Sequence, residues 1–115
     1  MIALAMAAST AGAHAYLDAA SPADGSSGPA PAEIRLRFTE EIELEFSALV
    51  LKDASGRRMI TSKSRQPAPN TLAVDVGPLP PGAYTVEWRV LSVDTHITDG
   101  VVRFEVAPAG SRRGR

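Results

Sequence analysis

Over residues 83–91 the chain alternates, with Tyr84, Val86, Trp88 and Val90 on one parity and Thr85, Glu87 and Arg89 on the other. A period of two puts all four apolar side chains on one face of an extended strand, whereas a helix would scatter them around its circumference. The pattern recurs in Glu33–Phe38, where Ile34, Leu36 and Phe38 oppose Glu33, Arg35 and Arg37. It recurs again over residues 71–76 through Leu72, Val74 and Val76, and in the series Val102, Phe104, Val106. Weaker alternation predicts strands at residues 15–19, 46–52 and 58–62. Between these runs lie Pro, Gly, Asp, Asn and Ser at 22–28, 53–56, 67–70 and 78–82, residues that preset or tolerate turn dihedrals. Asp99-Gly100 reads as one more turn signal, and residues 39–45 as a loop or a single helical turn with Thr39 as its cap.

About seven short strands at this spacing predict an all-β chain, a two-sheet sandwich of immunoglobulin-like type, with Trp88 and Phe104 supplying the bulk of the core. The 115 residues suffice for one domain. Cysteine is absent, so the fold has no disulfide, and thiolate metal sites and cysteine nucleophiles are excluded together. Twelve basic residues against thirteen acidic ones leave no overall field to gather nucleic acid or anionic lipid.

The two ends read differently. Residues 1–13 (MIALAMAASTAGA) are small and apolar and close on Ala11-Gly12-Ala13, the pattern of a signal-peptidase site. They are expected to be a signal peptide, incomplete at its start because the usual basic opening is missing. Cleavage there makes His14 the first residue of a domain spanning 14–107, and the basic, Gly-rich residues 108–115 are expected to be a disordered tail.

Histidine occurs twice, as His14 and His96. At a free amino terminus, His14 offers its α-amine and its imidazole to one metal and closes a chelate ring. Asp94-Thr95-His96 follows the strongest predicted strand, and on extended backbone residues i and i+2 project to the same side. Three nitrogens and one carboxylate oxygen, without sulfur, form the tetragonal set that suits Cu(II).

Several segments together resemble the CopC family of periplasmic copper-binding, copper-resistance proteins. They are His14-Ala15 followed by Leu17, Ser21-Pro22-Ala23-Asp24-Gly25, Leu36-Arg37-Phe38-Thr39-Glu40, and residues 79–90 running into Ser92-Val93-Asp94-Thr95-His96 and Gly100. The resemblance implies a Greek-key β-sandwich or barrel and a periplasmic Cu(II) site formed by His14, Asp94 and His96. It also implies that Glu40 orients the amine or an imidazole from outside the ligand set, against the plainer reading of a solvated carboxylate at a strand end. Ile97 stands where many members carry Pro. Beyond the leader Met59 is the only methionine, so a methionine-rich Cu(I) site is not expected.

The preferred reading is a non-enzymatic carrier or buffer of one Cu(II) per chain, passing copper to an inner-membrane protein, with no nucleic-acid partner and no membrane insertion of the mature chain. Two alternatives stay open. One is a copper-dependent oxidative enzyme with a histidine chelate, of the polysaccharide monooxygenase kind. The other is a metal-free accessory or adhesive sandwich.

Overall fold

The residues that alternate inward in the sequence are the ones that lose their water. In the computed structural model, which describes residues 15–109, Ile34, Leu36, Phe38, Leu72, Val74, Val86, Val90 and Val102 are buried, while Arg35, Arg37, Glu87 and Arg89 between them are exposed. The strands are β1 (Leu17–Ser21), β2 (Ser26–Gly28), β3 (Glu33–Phe38), β4 (Ala48–Asp53), β5 (Arg65–Ala68), β6 (Thr71–Asp75), β7 (Gly82–Leu91) and β8 (Ile97–Val106). They form two four-stranded sheets, ordered β1-β3-β6-β5 and β2-β8-β7-β4. All pairings are antiparallel except β2 with β8. The chain steps between sheets at each of its first four connections, which is why neighbours within a sheet are seldom consecutive in sequence.

Two aromatic pairs fill the core. Phe38 and Trp88 meet edge to face at 5.1 Å and 65°, and Tyr84 stacks on Phe104 at 5.6 Å. Each large apolar side chain taken from water contributes about 1.5–3 kcal/mol. The ion pairs, such as Arg37 with Asp18 and Lys52 with Glu87, lie on exposed faces where about 0–1 kcal/mol each is usual. Burial therefore holds the sandwich together, and the charges decorate it.

The sheet is richer and differently bounded than the sequence suggests. There are eight strands, because β2 lies inside the stretch read as a turn at 22–28 and β5 runs into the one read at 67–70. Residues 58–62 are not a strand: Arg58 and Thr61 make only isolated bridges, to Lys52 and Val76. The first strand starts at Leu17, and β4 starts at Ala48 after a 3-10 turn, Leu44–Phe46, that occupies the end of the 39–45 loop and the start of the expected strand. Asp99 and Gly100 are not a turn. They continue β8 opposite Arg89 and Trp88, and Gly is needed there because a Cβ on Gly100 would stand 2.6 Å from Trp88 Cζ2. The expected leader (1–13) and His14 lie outside the described residues, as do residues 110–115 of the expected 108–115 tail. Among the described residues no helix is long and apolar enough to cross a membrane.

Candidate metal centre

Asp94 and His96 lie in the connection between β7 and β8. Leu91 and Ile97 form the last pair of the hairpin ladder, which leaves residues 92–96 to reverse the chain. Buried Ser92 organises this loop. Its N–H donates to the His96 carbonyl at 2.9 Å, its carbonyl accepts the Thr95 N–H at 2.8 Å, and its Oγ accepts the His96 N–H at 3.3 Å. The Val93 N–H donates to the Glu41 carbonyl at 3.1 Å and the Glu43 N–H to the Leu91 carbonyl at 2.8 Å, so the segment after β3 runs alongside the loop. Asp94, Thr95 and His96 are left exposed at its tip.

The extended backbone expected between Asp94 and His96 is not present. Thr95 takes φ +69° within a turn, since the ladder has ended and five residues must close the hairpin. The two side chains therefore owe their relative direction to a left-handed residue and not to strand alternation.

A second strand end arrives at the same place. Thr39 directly follows β3; its hydroxyl accepts the Tyr16 N–H at 2.9 Å, and its own N–H donates to the Tyr16 carbonyl at 2.8 Å. Ala15 is buried, and its carbonyl accepts the Thr98 hydroxyl at 2.7 Å. The start of the described chain is thus held between the end of β3, where half-buried Glu40 follows Thr39, and the start of β8, two residues past His96. Beneath this end sit Phe38 and Trp88, the latter against Gly100. The indole Nε1 is buried and meets no acceptor among the described residues.

Asp94, His96 and Glu40 are accordingly at one end of the sandwich, while His14 lies outside the described residues. Among the described residues no group of three or more His, Asp or Glu is gathered closely enough to hold an ion. Met59 is half-buried against the core, and its N–H bonds Leu51, which pairs with Val86 well before the hairpin loop. Sequence reasoning gives Ser92 and Thr98 no supporting role and takes Thr39 only as a helix cap. Ser92 and Thr98 carry one signal, a polar residue at the inner parity near a strand end, whereas Thr39 has the outer parity of β3 and carries none.

The family model described as the CopC domain matches residues 17–107. The chain belongs to the CopC family. Its curated relatives include copper resistance protein C of Pseudomonas syringae pv. tomato, 36% identical over 102 residues, spanning 82% of this chain and 81% of that one. Copper resistance protein C of Xanthomonas campestris pv. juglandis is 34% identical over 114 residues, spanning 92% and 90%. Among solved structures, CopC from Methylosinus trichosporium OB3b superposes with a TM-score of 0.77 at 32% identity, over 84% of this chain and 96% of that one. PcoC, a methionine-rich copper resistance protein from Escherichia coli, gives 0.76 at 31% identity over 82% and 99%. The Greek-key sandwich expected of a CopC relative is therefore the fold observed. The two curated relatives and PcoC are named for copper resistance and not for a reaction.

Proposed function

We propose that the mature chain is a periplasmic carrier or buffer of Cu(II), holding one ion through the α-amine and imidazole of His14, the His96 imidazole and the Asp94 carboxylate. Glu40 orients the amine or an imidazole by hydrogen bonding. Copper is cargo here: the chain chelates and shields it, and the nitrogen and oxygen donors fit Cu(II) without any soft ligand. Family membership supports the copper reading, since relatives bear copper resistance in their names.

The observation that carries the site is the anchoring of Ala15 and Tyr16. Ala15 is one peptide bond from His14, about 3.8 Å between Cα atoms, and its carbonyl is tied to Thr98. Tyr16 is tied to Thr39, next to Glu40. A chain beginning at His14 therefore starts beside the loop that carries Asp94 and His96. Exposure of that loop suits exchange of the ion with a partner without unfolding. The same reading makes residues 1–13 a removed leader, 14–107 the copper-binding domain and 108–115 a tail. An inner-membrane copper transporter is the proposed recipient.

The test compares Cu(II) affinity of protein beginning at His14 with that of protein bearing one extra Gly before it. The added residue turns the amine into an amide nitrogen, a poor ligand at neutral pH, and opens the chelate ring. Affinity is expected to fall by orders of magnitude with the circular dichroism spectrum unchanged. Equal affinities would remove the amine from the site.

A further inference from the structure

Thr95 is the only residue other than glycine with positive φ among the described residues. At φ +69° it occupies the left-handed region, where a β-branched side chain is a rare occupant and Gly, Asn or Asp the common ones. A five-residue connection built on a turn needs one left-handed position near its end, and glycine fills it without strain. The chain spends stability on threonine at this position. Strain of this kind persists where the surroundings over-determine the backbone, and it concentrates at functional sites.

The surroundings do over-determine it. The Thr95 N–H is held by the Ser92 carbonyl, the residues either side of the loop are closed by the pair of Ser92–His96 bonds, and Val93 is pinned to Glu41. The Thr95 hydroxyl donates to the Asp94 carbonyl. Every bond in this set fixes the backbone on one side or the other of Asp94 and His96, and the loop tip they flank is solvent-exposed. Core packing offers no reason for the choice, because Thr95 itself is exposed.

We infer that Thr95 is a positioning residue: its strained left-handed backbone and its hydroxyl fix the angle between Asp94 and His96 before copper arrives. This rests on the proposed copper site but goes beyond it, since Thr95 is assigned no contact with the ion. Glycine would permit the same turn and keep its backbone bonds, but it lacks the hydroxyl bond to the Asp94 carbonyl and widens the dihedral range open to the backbone between the two side chains. Threonine removes that freedom in the metal-free protein, so less ordering is left for the ion to impose.

The experiment compares wild type, Thr95→Gly and Thr95→Asn, all beginning at His14, by Cu(II) affinity, electron paramagnetic resonance and thermal unfolding, and by 15N relaxation of the metal-free forms. Thr95→Gly is expected to lower affinity about tenfold, the scale seen when supports of metal ligands are removed, and to broaden the resonance spectrum. Its unfolding temperature should stay within a few degrees of wild type. In the metal-free form the His96 amide should pass from the rigid range, with an order parameter near about 0.85, toward about 0.6. Thr95→Asn, which tolerates the same backbone region, should keep most of the affinity. Unchanged relaxation at His96 in Thr95→Gly would overturn the inference whatever the metal result. A rigid-to-mobile change with undiminished affinity would overturn it as well, while leaving the copper site standing. Absence of Cu(II) binding by wild type would instead sink the site itself, and the inference with it.

Discussion

The residues on which copper binding depends in this reading contribute little to the fold. His96 and Asp94 are exposed at a loop tip, and their backbone is held through Ser92 and Glu41. His96→Ala is therefore expected to cut Cu(II) affinity more than about 100-fold, since removing only an outer partner of a ligand costs about 10–100-fold. Glu40→Gln falls in that lower range, keeping the size of the side chain but losing the charge. Both variants should unfold at wild-type temperature. Isothermal titration in competition with a chelator, paired with a thermal melt, separates the two effects. A His96→Ala protein with wild-type affinity would exclude its imidazole from the site.

Among the elements, the β7–β8 hairpin links the core to the loop that carries Asp94 and His96. Trp88 faces Gly100 across its ladder, and the absent side chain makes room for the indole. Gly100→Ala would gain about 0.4–1 kcal/mol by restricting the unfolded chain, but it sets a methyl 2.6 Å from a carbon of the indole, which also packs against Phe38. Overpacking of this kind typically costs about 1–3 kcal/mol, so the loss wins. The expected outcome is a lower urea midpoint with an altered Trp88 emission maximum; a midpoint at or above wild type would show that the indole can move aside freely. The other end of the hairpin is tied differently, through the Tyr84 hydroxyl donating to the Pro80 carbonyl at 2.6 Å. Burial pushes that phenol's pKa up, so it remains a donor throughout the neutral range.

Across the whole molecule, acid should act through carboxylates far from the hairpin loop. Hydrogen bonding from Arg35, with Arg65 adding its charge, holds the Glu33 carboxyl below its ordinary value of 4.5. Arg65 also reaches Asp75, so the cluster joins β3, β5 and β6. The Ser55 hydroxyl and the Arg57 and Ser55 N–H groups hold Asp53 below its ordinary 3.8, closing the turn after β4. A carboxyl with a depressed folded pKa binds fewer protons folded than unfolded, so its contribution is complete above the unfolded value and disappears as pH falls through the folded one. Wild type should thus lose stability between about pH 5 and about pH 3 more steeply than Glu33→Gln or Asp53→Asn. Urea midpoints across that range check it; parallel curves would show that neither carboxyl is tied more strongly folded than unfolded.

The sequence by itself determined which residues enter the core and which face water, because a period of two leaves an extended strand no other way to bury Tyr84, Val86, Trp88 and Val90 together. It also determined that any metal must be held by nitrogen and oxygen, and the matching segments pointed to the CopC family. Tertiary structure alone decided the rest. The strands β2 and β5 have no apolar parity and exist because β8 and β6 offer them backbone partners. Residues 58–62 carry a strand-like pattern but find bridges only at single residues. Gly100 reads as a turn in isolation, and only the indole on the neighbouring strand gives it another purpose. The backbone between Asp94 and His96 departs from the expected extension for the same reason, since alternation governs a strand and these residues sit just beyond the point where its partner ends. Backbone pairing between distant segments leaves no mark on the residues that accept it, so the anchoring of Ala15 by Thr98 and of Tyr16 by Thr39 became visible only when the chain was folded.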